Sequence, residues 1–239
     1  MSRAAPDLRS APTVARLGGL LKTPEGGGLA ELEPVLADFG ADLPSSLRWN
    51  CGIRLPDDEV PVAADEMGIT VADAGFEISL VPGESPEALL EAVTGLSDTL
   101  GGVVDSARCA IVAGTAYLTL TNDGGRFILF FGGHLIEGMS LESFDKWWFE
   151  EHGPIAYDVW QPLGISYEQL HADPGLTKEA NARAGFGDDG CLFFESITAD
   201  SADHFFTGMT EEAGARFEEH EHGVVARELC IGLFARPVS

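Results

Sequence analysis

Residues 130–174 read FFGGHLIEGMSLESFDKWWFEEHGPIAYDVWQPLGISYEQLHADP, the densest run of aromatics and histidines in the chain. Ser140 offers the side-chain oxygen of a helix N-cap, and Glu142 falls in the first turn, where the helix dipole favours an anion. Leu141, Phe144, Trp148 and His152 follow at helical spacing and share one face. Pro154 lacks an amide proton and is expected to bend or end that helix. Beyond Gly164, residues 165–171 alternate as a strand, with Tyr167, Gln169 and His171 on one side and Leu170 on the other. An aromatic helix face with one histidine and a polar strand face with another are expected to line a pocket.

Working outward, a turn cluster at 122–125 precedes a strand at 127–131. Residues 173–189 read as a polar linker, with one helical turn around 178–183. A strand at 191–197, a helix capped by Asp200 or Ser201 and carrying Phe205, Phe206 and Met209, and a strand at 229–235 complete this half. The first half has the same order. Residues 1–12 are polar, rich in proline and alanine, and expected to be flexible. Strands are expected at 13–21, around Trp49, Cys51 and Ile53, at 76–81 and at 108–121. Helices are expected from Leu32, Val35, Leu36 and Phe39, and from the stripe Leu89, Leu90, Val93 and Leu96, which Gly101 and Gly102 end. Residues 57–75 read as loop.

The run GGGLAELEPVLADFG is a worn copy of EGMSLESFDKWWFEEHG, and RWNCGIRLPD aligns with SYEQLHADP when Pro56 is matched to Pro174. Such self-similarity marks a duplication. The fold class is therefore α+β, with two ferredoxin-like βαββαβ repeats at 13–122 and 126–239. Their antiparallel sheets are expected to close into an α+β barrel within one chain. In this layout Leu170 faces the helices and the polar side of its strand looks into the barrel. Closure within one chain leaves monomer and homodimer both open.

The formal net charge of -25, from 39 acidic against 14 basic residues, argues against nucleic acid or an anionic membrane surface as partner. Cys51, Cys109, Cys191 and Cys230 are scattered without the close pairs of a zinc site, so buried free thiols are expected. No run has the pattern of a signal peptide or a membrane span, which points to a cytoplasmic protein without a membrane partner.

From about 127 to 238 the chain resembles the EthD family of the dimeric α+β barrel superfamily. The marks are Ser-Leu-Glu-Ser-Phe after a strand, Trp-Phe-Glu-Glu-His-Gly-Pro closing the helix, and Tyr-Glu-Gln-Leu-His on the next strand. The resemblance implies that His152 and His171 lie near the pocket, with Tyr167 and Gln169 beside the latter. Gly40 and Ile53 stand in their places in the first half, so chemistry is expected in the second half alone. The family's C-terminal acidic segment is altered here to Glu218-Glu219-His220-Glu221-His222.

An imidazole exchanges protons near neutral pH, which suits acid–base work at a carbon acid or hydroxyl. Two in one apolar pocket would split into an acid and a base. His152, His171, Tyr167 and Gln169 are the candidate catalytic residues, the last two orienting a substrate oxygen. Phe144, Trp148, Phe130 and Glu195 are the candidate substrate-binding residues. His220 and His222 point to different sides of a helix and make a weak metal pair, so no metal or other cofactor is expected. These residues predict a dehydratase, decarboxylase, cyclase or isomerase of secondary metabolism, acting on a small, apolar, oxygenated, polyketide-like or aromatic compound. A cofactor-free monooxygenase, a non-catalytic barrel for a hydrophobic ligand, and a haem protein with a histidine axial ligand remain as alternatives.

Overall fold

The computed structural model describes residues 7–60, 68–121, 124–187 and 190–238. The first repeat contains β1 (Thr13–Leu21), α1 (Leu29–Asp42), β2 (Leu47–Arg54), the two-residue β3 (Thr70–Val71), β4 (Ala74–Leu80), α2 (Glu87–Val93), α3 (Leu96–Leu100) and β5 (Ala110–Leu120). The second contains β6 (Phe127–Gly133), α4 (Leu141–Trp147), a π turn (Trp148–His152), α5 (Gly153–Trp160), β7 (Ser166–Ala172), α6 (Pro174–Ala184), β8 (Phe193–Ala199), α7 (Ala202–Gly208), α8 (Glu211–Glu221) and β9 (Ile231–Pro237).

Strand order is β2-β4-β1-β5-β7-β8-β6-β9, and β9 pairs back onto β2. Each repeat is a four-stranded ferredoxin-like sheet, and the last strand of each pairs with the second strand of the other. The result is a closed eight-stranded antiparallel barrel, to which β3 adds one short parallel edge against β9. Closure leaves no exposed edge among the eight strands.

Alternation gives every strand an outer face under helices and an inner face in the barrel. Leu17, Phe76 and Ile78 pack outward against the first repeat's helices, and Leu129, Phe131, Phe193 and Ile197 against the second's. Inside lie Leu20, Val112, Ile128, Phe130, Leu170, Phe194 and Leu233. A buried polar network joins them: the Arg16 guanidinium donates to Glu77, Glu168 and Ser79, and Ser196 and Asn50 donate to Glu77.

The expected orientation of β7 is thus reversed. Leu170 points into the barrel, while Tyr167 packs under the helices. Apolar side chains and the Arg16 network fill the interior, and the row Tyr167, Gln169 and His171 lies outside it.

Other expectations also shift. Pro154 sits in the first turn of α5 and the helical path continues to Trp160, because the π turn places the Gly153 amide on the Trp148 carbonyl and absorbs the proline. The expected linker at 173–189 contains the three-turn helix α6, capped by Asp173. Its Thr177 and Asn181 bond the backbone of Ala113 and Ile111, where β5 has run past the end of β7. They occupy an edge that would otherwise be unpaired. Within the N-terminal stretch expected to be flexible, residues 7–12 pack on the fold, with Leu8 buried and Arg9 bonded to Glu150 over the Phe149 ring. Residues 1–6 lie outside the described residues. The expected loop at 57–75 holds a 3-10 turn and β3, and its residues 61–67 also lie outside. Cys51, Cys109, Cys191 and Cys230 are all buried. No helix among the described residues is long and apolar enough to cross a membrane.

Candidate active site

The Ser140 hydroxyl accepts from the Ser143 amide and starts α4. The π turn then carries Trp148, Phe149 and His152 onto the sheet, all three buried. Gly153 permits this approach: a Cβ there would stand 2.8 Å from Gln169 Nε2 and 2.5 Å from the Leu8 side chain.

Between the outer face of β6–β9 and helices α5, α7 and α8 lies a cavity of about 260 Å³. Its apolar walls include Phe131, Trp160, Phe205, Phe217 and Phe234. Its polar groups are His152, Tyr167, Glu195, Glu218, Glu221 and Arg227. A narrow extension runs past Phe144, Trp147 and Trp148.

His152 packs against Trp147 and Phe217, with ring centroids at 4.8 and 5.5 Å, and its buried Nδ1 has no protein partner. Burial, with His220 adding to it, pushes the imidazole down to about 3, so it is neutral at working pH. Glu195 lies deep in the protein, and the surface that it keeps opens on the cavity. Burial, with the Glu221 carboxylate adding to it, pushes its carboxyl up to about 8. The hydrogen bond from Tyr167 works the other way.

Tyr167 is fully buried, and burial followed by the charge of Glu195 raises its phenol well above the usual range. Its oxygen accepts from Trp148 Nε1 at 3.0 Å and Gln169 Nε2 at 2.9 Å. Both lone pairs are then used, and the hydroxyl proton is left for Glu195. Glu221, itself raised chiefly by burial, is ion-paired with Arg227 at the cavity wall.

His171 does not line the cavity. Its ring stacks on Phe149 at 4.2 Å and lies 4.6 Å from Trp148, with Tyr117 edge-on at 5.0 Å. Nδ1 is 2.7 Å from Asp145, and Nε2 is 3.4 Å from Gln169 Oε1. The expected pair of histidines in one pocket is therefore replaced by His152 and Glu195, with His171 reaching the cavity only through Gln169 and Tyr167. Phe130 does not reach it either, because the alternation of β6 turns its ring into the barrel against Phe194. His220 lies close enough to depress His152, while His222 caps the end of α8. Glu221, Arg227, Trp160 and Phe217 line the cavity without having been singled out as site residues. The unusual acidic segment was the one available signal for Glu221, and nothing local marked Arg227.

Residues 136–228, which span the π turn, β7, β8 and α8, match the model of the EthD domain. No curated protein matches the chain. Among solved structures, an anthrone oxidase-like protein aligns at TM-score 0.56 with 10% identity, over 95% of each chain. A Fusobacterium nucleatum protein provisionally assigned as a monooxygenase aligns at TM-score 0.52 with 5% identity, over 96% of this chain and 94% of that one. A cyanide-bound variant of the chlorite dismutase of Candidatus Nitrospira defluvii aligns at TM-score 0.52 with 8% identity, over 100% and 96%. Identities this low establish a shared barrel outside the EthD domain as well as within it, and no shared chemistry.

Proposed function

We propose that the protein is a cofactor-independent acid–base enzyme acting on a small, apolar, oxygenated aromatic or polyketide-like molecule. One observation carries this reading: a buried imidazole whose Nδ1 has no protein partner and a buried carboxyl, pushed in opposite directions from their usual ranges chiefly by burial, open on the same aromatic-walled cavity. Groups whose environments push their proton affinities apart divide the acid and base roles between them. The ionised Glu195 is a stronger base than an ordinary carboxylate and takes a proton from an activated carbon. His152, neutral throughout, hydrogen-bonds the substrate carbonyl as negative charge develops on its oxygen. Tyr167, held by Trp148 and Gln169, steadies the ionised Glu195. Phe131, Trp160, Phe205 and Phe217 clasp the ring.

The enolate has two outcomes. Its proton returns at another position, or a leaving group departs, giving an isomerase or lyase. Alternatively the carbanion reacts with dioxygen, so that a methylene plus O₂ becomes a carbonyl plus water. The similarity in fold to an anthrone oxidase-like protein favours this second reading. Haem does not fit: both ring nitrogens of His171 have partners outside the cavity, and about 260 Å³ beside His152 does not hold a porphyrin.

The test is turnover of a fused-ring ketone of the anthrone class, followed by absorbance and an oxygen electrode. The expected rate rises with pH and levels off above about 8. Oxygen uptake in step with product selects the monooxygenase, and turnover without uptake the lyase or isomerase. Binding with no turnover at any pH, or a flat pH profile, rejects the acid–base enzyme.

A further inference from the structure

A line of hydrogen bonds runs inward from the protein edge, Asp145 to His171, His171 to Gln169 and Gln169 to Tyr167, and the Tyr167 hydroxyl ends beside the Glu195 carboxyl at the cavity. Asp145 is about a third exposed, at 35%, whereas Gln169 and Tyr167 are sealed at 0%. We propose that Asp145 and His171 are positioning residues that set, through Gln169 and Tyr167, which way the Tyr167 hydroxyl points and so whether Glu195 holds its own proton.

The chain has two self-consistent directions. In one, His171 donates from both ring nitrogens, to Asp145 and to Gln169 Oε1. The Gln169 amide then donates to the Tyr167 oxygen. Trp148 Nε1 fills the remaining lone pair, and Tyr167 can only donate, to an ionised Glu195. In the other, the amide is turned. Its NH₂ donates to a bare His171 Nε2, its oxygen accepts the Tyr167 hydroxyl, and the freed lone pair of Tyr167 accepts from a protonated Glu195. Both directions satisfy every buried polar atom of the chain, and the turned amide is compatible only with a protonated Glu195. One proton is thus held at one end or the other. None crosses the amide: the buried His171 meets the part-exposed Asp145 at the edge, and Glu195 opens on the cavity.

Asp145 selects between the directions. Its carboxylate, 2.7 Å from Nδ1, is the charged acceptor that the ring of the first direction faces. The other groups around the two ends do not reach both. Tyr117 of β5, Phe149 and Trp148 surround His171, while Glu221 of α8, Arg227 and His152 face Glu195. The 3.4 Å link between His171 and Gln169 is the loosest in the chain and the place where its direction reverses.

The inference rests on Glu195 as the proton-transfer group, but its test needs no substrate, so a failed relay and absent turnover are separate results. Carbon-13 labelled glutamate carboxyls are titrated by NMR, with the Glu195 signal assigned through Glu195→Gln. Asp145→Asn is expected to raise the Glu195 midpoint by about half a pH unit or more, roughly threefold in proton affinity. The same substitution is expected to leave the midpoint unmoved once the chain is cut by Gln169→Leu. Tyr167→Phe, which removes a single oxygen, serves as a second cut should Gln169→Leu fail to fold. A midpoint unchanged by Asp145→Asn, or moved equally in the cut and uncut chains, overturns the proposal.

Discussion

The two repeats place the same strands under the same kind of helices and fill the space between them differently. In the second repeat, β7 presents Tyr167, Gln169 and His171 outward, and β8 sets Glu195 opposite Gln169. With Pro56 matched to Pro174, the first repeat has Trp49, Cys51 and Ile53 at those positions, and β4 sets Phe76 opposite Cys51. Trp49 stacks on Phe76 at 5.4 Å and meets Phe39 edge-on at 5.2 Å. Gly40, in the place of His152, is where the indole arrives: a Cβ there would stand 2.3 Å from Trp49 Nε1. A polar line ending at a cavity in one repeat is thus a closed apolar core in the other. The scaffold tolerates both, because stability needs the space filled or its polar groups bonded, and each repeat meets one of these conditions.

That contrast breaks first at Phe76. Phe76→Glu places the second repeat's carboxyl in the first without a tyrosine or a cavity. It should cost about 4 kcal/mol or more in chemical denaturation, from lost packing and an unpaired buried carboxyl. The converse change, Glu195→Gln, should retain the fold and lower turnover about 100-fold or more, as expected for loss of a general base. A variant within a few-fold of the parent would move the chemistry away from Glu195.

The pH dependence of stability sharpens the comparison. Glu195 is raised to about 8 in the folded state, so the folded protein holds that proton longer than the unfolded chain. Its contribution is present below the ordinary glutamate range and is lost as pH climbs through about 8. Glu195→Gln should therefore become progressively more stable than the parent across that window, by up to about 1.4 kcal/mol per pH unit. His152 is depressed to about 3, so its contribution is present above the ordinary histidine range and is lost as pH falls toward 3. His152→Gln should resist acid better than the parent. Melting curves at a series of pH values check both, and parallel curves would show that neither group is shifted.

The smallest effect separates the starts of the two equivalent helices. Ser140 caps α4 through its side chain, whereas α1 begins at Gly28 without a side-chain bond. Ser140→Ala should cost about 1 kcal/mol, and Gly28→Ser should add a few tenths, both read as shifts in the denaturation midpoint.

Several features were legible because they are local. The Ser140 cap, the alternation of 165–171 and the repeated order of elements each follow from neighbours a few residues apart. Helix α6 was hidden by its polar composition: Thr177 and Asn181 are buried because they bond the backbone of β5, and no apolar stripe betrays that face. Pro154 misled for a related reason, since a proline ends a helix only when no wider turn accommodates it.

The amino-acid sequence by itself determined the duplication, the α+β class, the resemblance of the second half to EthD, and the division of β7 into a row with Tyr167, Gln169 and His171 and a row with Leu170. It also determined that only the second copy carries this polar row. The tertiary structure decided which row faces the helices, because alternation defines two faces and is silent on which one curls inward. It alone brought His152, Glu195 and Glu221 to one cavity from three distant segments, and left His171 to act through Gln169. Their proton affinities followed from that meeting, since desolvation and neighbouring charge depend on what folding brings together.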